Sequence, residues 1–388
     1  MDNTHFMKEN GREAWTLSTF ISACLIAISI LMSSIFKLFD TKPIWMVVCT
    51  ALVILSVVIS YKELFRATHK GLTKAVFTII GLWIWCVLLA VIQGAEKPLR
   101  LEVLERLIYV IILTLMLCKL KLPLLPLKVC LYLILAFFYY QYFILNITSY
   151  GINGAESGAV NTVVLLSVSI TIQVLDYRDN HAIALLPSIL IVPIAAMSWN
   201  RTGFIVSLLY VVTVFFIGNS HIKKKNNRYF FFFLSIAVLA LLVVRYYGWF
   251  SETSIYSKFE SNALDNTARS TIWASYFSTF GLVQFIIGRA IDNSHPLIDG
   301  FINPHNSYIM LHSQVGVLAV IFFVVMIKRF WLYFKKDKFV FFMFLVLFVR
   351  GFFDMAFFFQ PFDYAIFLFM FDCKRLIAHP KDINVRFV

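Results

Sequence analysis

Charge is what this sequence has least of. Only 14% of its 388 residues are Asp, Glu, Lys or Arg, and 60% are hydrophobic, against about 25% charged and 45–50% apolar in an average soluble domain. No water-soluble core could hide that much apolar surface. Cysteine spacing is equally uninformative: Cys24, Cys49, Cys86, Cys118, Cys130 and Cys373 lie in apolar runs or at their ends, with no Cys-x-x-Cys. Neither a disulfide framework nor a zinc site is expected. No GxxxxGK[ST] phosphate loop, HExxH pair or GxSxG elbow occurs, so nothing points to a P-loop nucleotidase, a zinc protease or a serine hydrolase.

Apolar runs take the place of charge. Bounded by turn or charged residues, they predict helices near 15–39, 44–61, 75–92, 103–118, 127–147, 158–175, 182–199, 202–218, 229–244, 306–327, 338–353 and 356–371. A spanning helix takes roughly 20 residues, so about a dozen transmembrane helices account for the hydrophobic fraction. The expected fold class is an all-α polytopic membrane protein, residues 1–388 forming one integral membrane domain. The first run is too long for a signal-peptide core and lacks a cleavage site, and reads as a retained helix. The net charge of +13 comes from Lys and Arg between the runs rather than from a basic domain, which argues against nucleic acid. With the N-terminus inside, 23 of the 34 Lys and Arg fall on the cytoplasmic side, so both termini are expected there.

One connection is long. Residues 245–305, between the ninth and tenth predicted helices, form an extracytoplasmic loop, and loops of that length are usually functional or disordered. Within it Ile272, Tyr276, Phe280 and Val283 recur at helical spacing, predicting a helix in the membrane interface. No internal repeat links the two halves, which weakens a repeat-built transporter.

Three places concentrate residues that are costly near a membrane. In SWNRTGF, Arg201 sits at an extracytoplasmic turn after a helix that Pro187 and Pro193 should bend. In the long loop, Arg269 and Arg289 offer planar forks that grip a phosphate bidentately. In NPHNSYIMLHSQVGVLAV, Pro304 fits a helix start with Asn303 as cap, placing His305 in the first turn and His312 on nearly the same face two turns deeper. Each has a bland reading: an arginine snorkelling to lipid phosphates, or a histidine satisfied within the fold. Arg350 and Asp354 are spaced for a structural ion pair.

In this order, SWNRTGF, RSTIW and PHNSYIMLHSQVGVLAV resemble motifs of the O-antigen ligase and polymerase superfamily of bacterial surface-polysaccharide assembly. The resemblance covers about 198–323. It implies a GT-C-like fold and an inverting, metal-independent glycosyltransferase without cofactor, working at the periplasmic face of the inner membrane on an undecaprenyl-diphosphate-linked glycan. Arg201 and Arg269 would match the family's diphosphate-binding arginines and His305 its periplasmic histidine. Arg289, Asn306 and His312 would contact substrate, Arg289 with Gly300 fitting a loose polymerase spacing. The implied activity is polymerisation of O-antigen or capsule repeats, with a flippase and a chain-length regulator as partners. The alternatives are a ligase delivering glycan to lipid A core, and a transporter of lipid-linked sugars.

Overall fold

The computed structural model describes residues 15–38, 44–68, 70–145, 158–180, 182–198, 200–219, 267–278, 280–300 and 302–371, with residue 376 and residues 386–387 besides. It is helical almost throughout, as the apolar runs predict. The helices are α1 (Leu17–Leu38), α2 (Ile44–Ile59), α3 (Tyr61–Ala67), α4 (Gly71–Ile92), α5 (Leu101–Lys119), α6 (Leu125–Tyr139), α7 (Gly158–Asn180), α8 (Leu186–Met197) and α9 (Arg201–Asn219). After residue 266 follow α10 (Thr267–Phe277), α11 (Leu282–Ile287), α12 (Ser307–Val315), α13 (Val317–Lys336), α14 (Lys338–Phe352) and α15 (Tyr364–Phe371). A two-residue parallel pairing of Ala182–Ile183 with Arg386–Phe387 is the strand structure among the described residues. The predicted ninth helix, 229–244, lies outside them.

Among the described residues five helices are long and apolar enough to cross a membrane, or six if α2 and α3, bent by 75°, count as one span. The chain is a multi-pass α-helical membrane protein. Several predicted spans are shorter than their hydropathy suggested: α8 has 12 residues, about 18 Å at 1.5 Å per residue and short of a roughly 30 Å hydrocarbon core.

One span is central. Helix α7 is 94% buried over its apolar window and packs against α1, α6, α8, α9, α14 and α15. A helix with no lipid-facing side can carry hydroxyls, because its neighbours satisfy them. Ser169 and the Tyr210 hydroxyl lie 2.7 Å apart, and Lys128 meets Asp176 at 2.6 Å.

Two predicted helices prove to be broken. The run 306–327 divides at Gly316 (φ 56°, ψ −133°) into α12 and α13. Carbonyls freed by a break inside a membrane protein need other donors. The Trp85 indole donates to Val315 at 2.9 Å and the Gln93 amide to Ser313 at 2.9 Å. The predicted helix 356–371 begins only at Tyr364, and residues 353–363 form an irregular segment. Its turn is set by Asp363, which takes backbone N–H bonds from Phe358 at 2.7 Å and Gln360 at 3.0 Å in competition with a helical ladder.

Candidate functional site

The turn between α8 and α9, helix α10, and the segment ahead of α12 meet beside the C-terminal end of α14. Pro193 lies inside α8 and the helix stops at Met197. Asn200 then caps α9, its side-chain oxygen accepting from Gly203 N at 2.7 Å, as an N-cap residue does for the orphan amides of a first turn. Arg201 is therefore the first residue of α9, one residue inside the helix rather than in the turn that the sequence suggested.

The predicted interfacial helix is two helices, α10 and α11, joined around Gly281. Ile272 and Tyr276 are buried while Val283 is exposed, so the predicted apolar stripe faces the protein through α10 and turns outward in α11. Ile272, Tyr276, Leu297 and Ile309 form a small core that seats α10 on α12. This seat orients Arg269, one turn ahead of Trp273. The Trp273 indole donates to the Pro304 carbonyl at 2.8 Å, tying the arginine's helix to the histidine's turn.

The start of α12 differs from expectation. Asn306, not Asn303, is its cap, accepting from Tyr308 N at 2.9 Å and Ile309 N at 3.1 Å. His305 lies outside the helix, in the left-handed region at φ 48°. That conformation is uncommon for residues other than glycine, and His is among those that tolerate it. It is held by a 2.8 Å bond from His305 N to the Asn303 side chain.

Asp354 is the centre of this convergence. Arg350, wholly buried at the end of α14, donates to its Oδ2 at 3.1 Å, and the Asp354 side chain is 15% exposed. Asn200 Nδ2 lies 3.4 Å from the same oxygen, and Met355 N donates to Oδ1 at 2.9 Å. The expected Arg350–Asp354 pair thus forms, but within a larger constellation. Burial alone would raise the Asp354 carboxyl, yet Arg350, His305 and the Met355 amide outweigh it and hold the group below its usual range.

The electrostatics show which residues share the pocket. Burial lowers the Arg269 guanidinium; Asp354 opposes this, and Arg350 and Arg201 add to it. Burial likewise lowers the His305 imidazole, with Asp354 opposing and Arg269 reinforcing. Arg201, Arg269 and His305, three sites picked from separate stretches of sequence, therefore sit within electrostatic reach of Asp354, directly or through a neighbour. Arg350 and Arg269 act on one carboxylate beside a histidine biased to neutrality, and Arg201 acts on Arg269, so the cluster is cationic. Such a cluster suits a polyvalent oxyanion beside a proton acceptor.

The remaining candidates have other partners. Arg289 donates to the carbonyls of Ser275 at 3.2 Å and Pro296 at 3.1 Å, pinning its loop to α10. Asn306 is buried as the cap just described. His312 does not share a face with His305: its Nε2 donates to the Phe285 carbonyl at 3.1 Å, which leaves Nδ1 to accept from the Tyr276 hydroxyl at 2.8 Å. Asn200 and Asp354 are the residues that the motifs did not single out as functional. An Asn just before an Arg at a helix start, and an Asp four residues after an intramembrane Arg, were the available signals. Among the described residues, no three His, Cys, Asp or Glu side chains are placed to hold a metal ion.

Compared with known proteins, the chain matches no protein-family model and no curated protein.

Proposed function

We propose that the chain is a membrane glycosyltransferase that polymerises oligosaccharide repeats carried on a polyprenyl diphosphate, as in O-antigen or capsule assembly. The observation that carries this reading is the convergence on Asp354 of Arg269 and His305, which it influences, and of Asn200, the residue before Arg201, at 3.4 Å, with Arg201 acting on Arg269 in turn. A diphosphate leaving group develops negative charge as its bond to the anomeric carbon breaks, and fixed cations stabilise it without reorganising. The acceptor hydroxyl oxygen attacks the anomeric carbon from the opposite face, so the linkage inverts. The bond from carbon to phosphate oxygen breaks, its electron pair leaving with the lipid diphosphate. The hydroxyl proton passes to the neutral His305 ring, a contribution of about 10²–10⁴-fold for a general base. Asp354 steadies the imidazolium that results. The positive-inside bias favours the extracytoplasmic side for these residues. Ser294→Cys, at an exposed position of the same face, should then react with a membrane-impermeant maleimide in intact spheroplasts.

Deletion of the gene followed by gel analysis of surface glycan tests the activity. A polymerase leaves caps of a single repeat. Bare core with accumulated lipid-linked polymer would instead identify a ligase, and accumulation of unpolymerised lipid-linked repeats on the cytoplasmic leaflet would identify a transporter.

A further inference from the structure

Residues 353–363 carry Asp354 yet belong to no helix, so their backbone groups must be held by something other than a ladder. At the near end the holder is Ser307. Its hydroxyl donates to the Asp354 carbonyl at 2.7 Å and accepts from Ala356 N at 2.8 Å and Phe357 N at 3.0 Å. One donor proton and two acceptor sites are all a serine hydroxyl has, and all three are spent on three residues of this segment, Asp354, Ala356 and Phe357. Ser307 is wholly buried, so no water competes for these bonds.

At the far end Phe358 and Phe359 both take left-handed backbone, φ 69° and 63°. For bulky side chains this conformation is strained and persists only where the surroundings over-determine it. The Asp363 carboxylate supplies that constraint through the Phe358 and Gln360 amides, and Arg106 donates to the Phe359 carbonyl at 3.0 Å. The segment is therefore clamped at both ends. Ser307 stands two residues from His305, so the near clamp joins the carboxylate's segment directly to the histidine's turn.

We propose that Ser307 is a positioning residue whose hydroxyl fixes the Asp354 carboxylate against the His305 imidazole, so that the ring is oriented for proton transfer; this rests on the function proposed above. The charged groups that act on His305 are Asp354, following α14, and Arg269 from α10. Arg201 and Arg350 act on Arg269 in turn. Of these Asp354 alone favours the protonated ring, which makes its placement readable by titrating His305.

Diethyl pyrocarbonate modifies the neutral imidazole, and peptide mapping by mass spectrometry follows His305 individually. In the full-length chain in nanodiscs, Ser307→Ala should move the pH of half-maximal His305 modification downward, in the same direction as Asp354→Asn. Ser307→Thr, which keeps the hydroxyl, should restore it toward wild type. Glycan transfer should fall at least tenfold in Ser307→Ala at wild-type abundance. If Ser307→Ala does not accumulate, Ser307→Cys serves instead, since a thiol is a weak donor of similar shape. An unmoved half-point in whichever of these two variants accumulates would overturn the proposal and leave Ser307 a packing residue. The half-point does not depend on glycan transfer. If His305→Ala kept full transfer while the Ser307 shift persisted, the functional reading would fail and the placement of Asp354 by Ser307 would stand.

Discussion

Trp273 donates its indole N–H to the Pro304 carbonyl at 2.8 Å, and this one bond joins the helix that carries Arg269 to the turn that carries His305. The same ring meets Phe352 edge-on, with centroids 5.5 Å apart, beside the end of α14. Trp273→Phe keeps an aromatic ring and removes the donor, at a net cost of about 0.5–1.5 kcal/mol in stability. Transfer should fall by more than such a loss of folded protein explains, because the relative placement of two site residues goes with the bond. A variant with normal specific activity per folded molecule would show that the bond only stabilises the fold.

The pH dependence of transfer should report His305. Burial lowers its pKa below the ordinary 6.5, Asp354 opposes this, and Arg269 reinforces it. A base is active when deprotonated, so the active form is lost as pH falls through the depressed value. The midpoint of the acid limb of wild-type transfer should therefore lie below 6.5. In Asp354→Asn one raising influence is gone, and the acid limb should move lower still while the plateau drops. An acid limb above 6.5 would argue against His305 as the base.

Much of the helical architecture was legible because apolar runs of about 20 residues have little else to be. What hydropathy could not register was a break satisfied from outside. Gly316 sits inside a stretch that reads as one helix, and its interruption is satisfied by Trp85 on α4 and Gln93 at the end of α4. The site was legible to the extent that its residues were costly where they stood. Arg201, Arg269 and His305 stood out for that reason, whereas Asn200 looks like any cap and Ser307 like any small polar residue at a helix start. His312 misled for a geometric reason: a seven-residue spacing puts two residues on one face only if both lie in the helix, and His305 precedes it.

The break at Gly316 should be specific to glycine. Its φ of 56° is strained for any other residue, and a Cβ there would come within 2.1 Å of the Ile286 carbonyl oxygen. Gly316→Ala should therefore sharply reduce the abundance of inserted protein, the backbone strain alone costing about 1–3 kcal/mol. Gly81→Ala is the control, since a Cβ at that position within α4 meets nothing within 4 Å. It should be neutral or stabilising by about 0.5–1 kcal/mol. Equal thermal stability of the two variants would remove Gly316 from this role.

The proposed metal independence rests on charge already in place. Arg350 and Arg269 act on the Asp354 carboxylate and Arg201 on Arg269, and 245–305 contains no Asp-x-Asp pair or Glu cluster. Purified protein given lipid-linked donor should turn over at the same rate with and without EDTA. Loss of turnover in chelator, restored by Mg²⁺ or Mn²⁺, would be decisive against this.

The sharpest separation of function from structure comes from Arg201. If it grips a diphosphate through two charge-assisted hydrogen bonds, Lys keeps the charge and loses the planar fork. Arg201→Lys should be impaired, and Arg201→Ala more so, since removing a stabiliser of developing charge costs about 2.7–4 kcal/mol, roughly 10²–10³ in rate. An arginine that merely snorkels to lipid phosphates would cost almost nothing in either variant. His305→Ala should abolish transfer in cells at normal abundance, because the side chain precedes its helix and is only partly buried. His312→Ala should act through stability instead, leaving the Tyr276 hydroxyl and the Phe285 carbonyl without their partner. Normal surface glycan from both Arg201→Ala and His305→Ala at wild-type expression would reject the catalytic reading and favour transport.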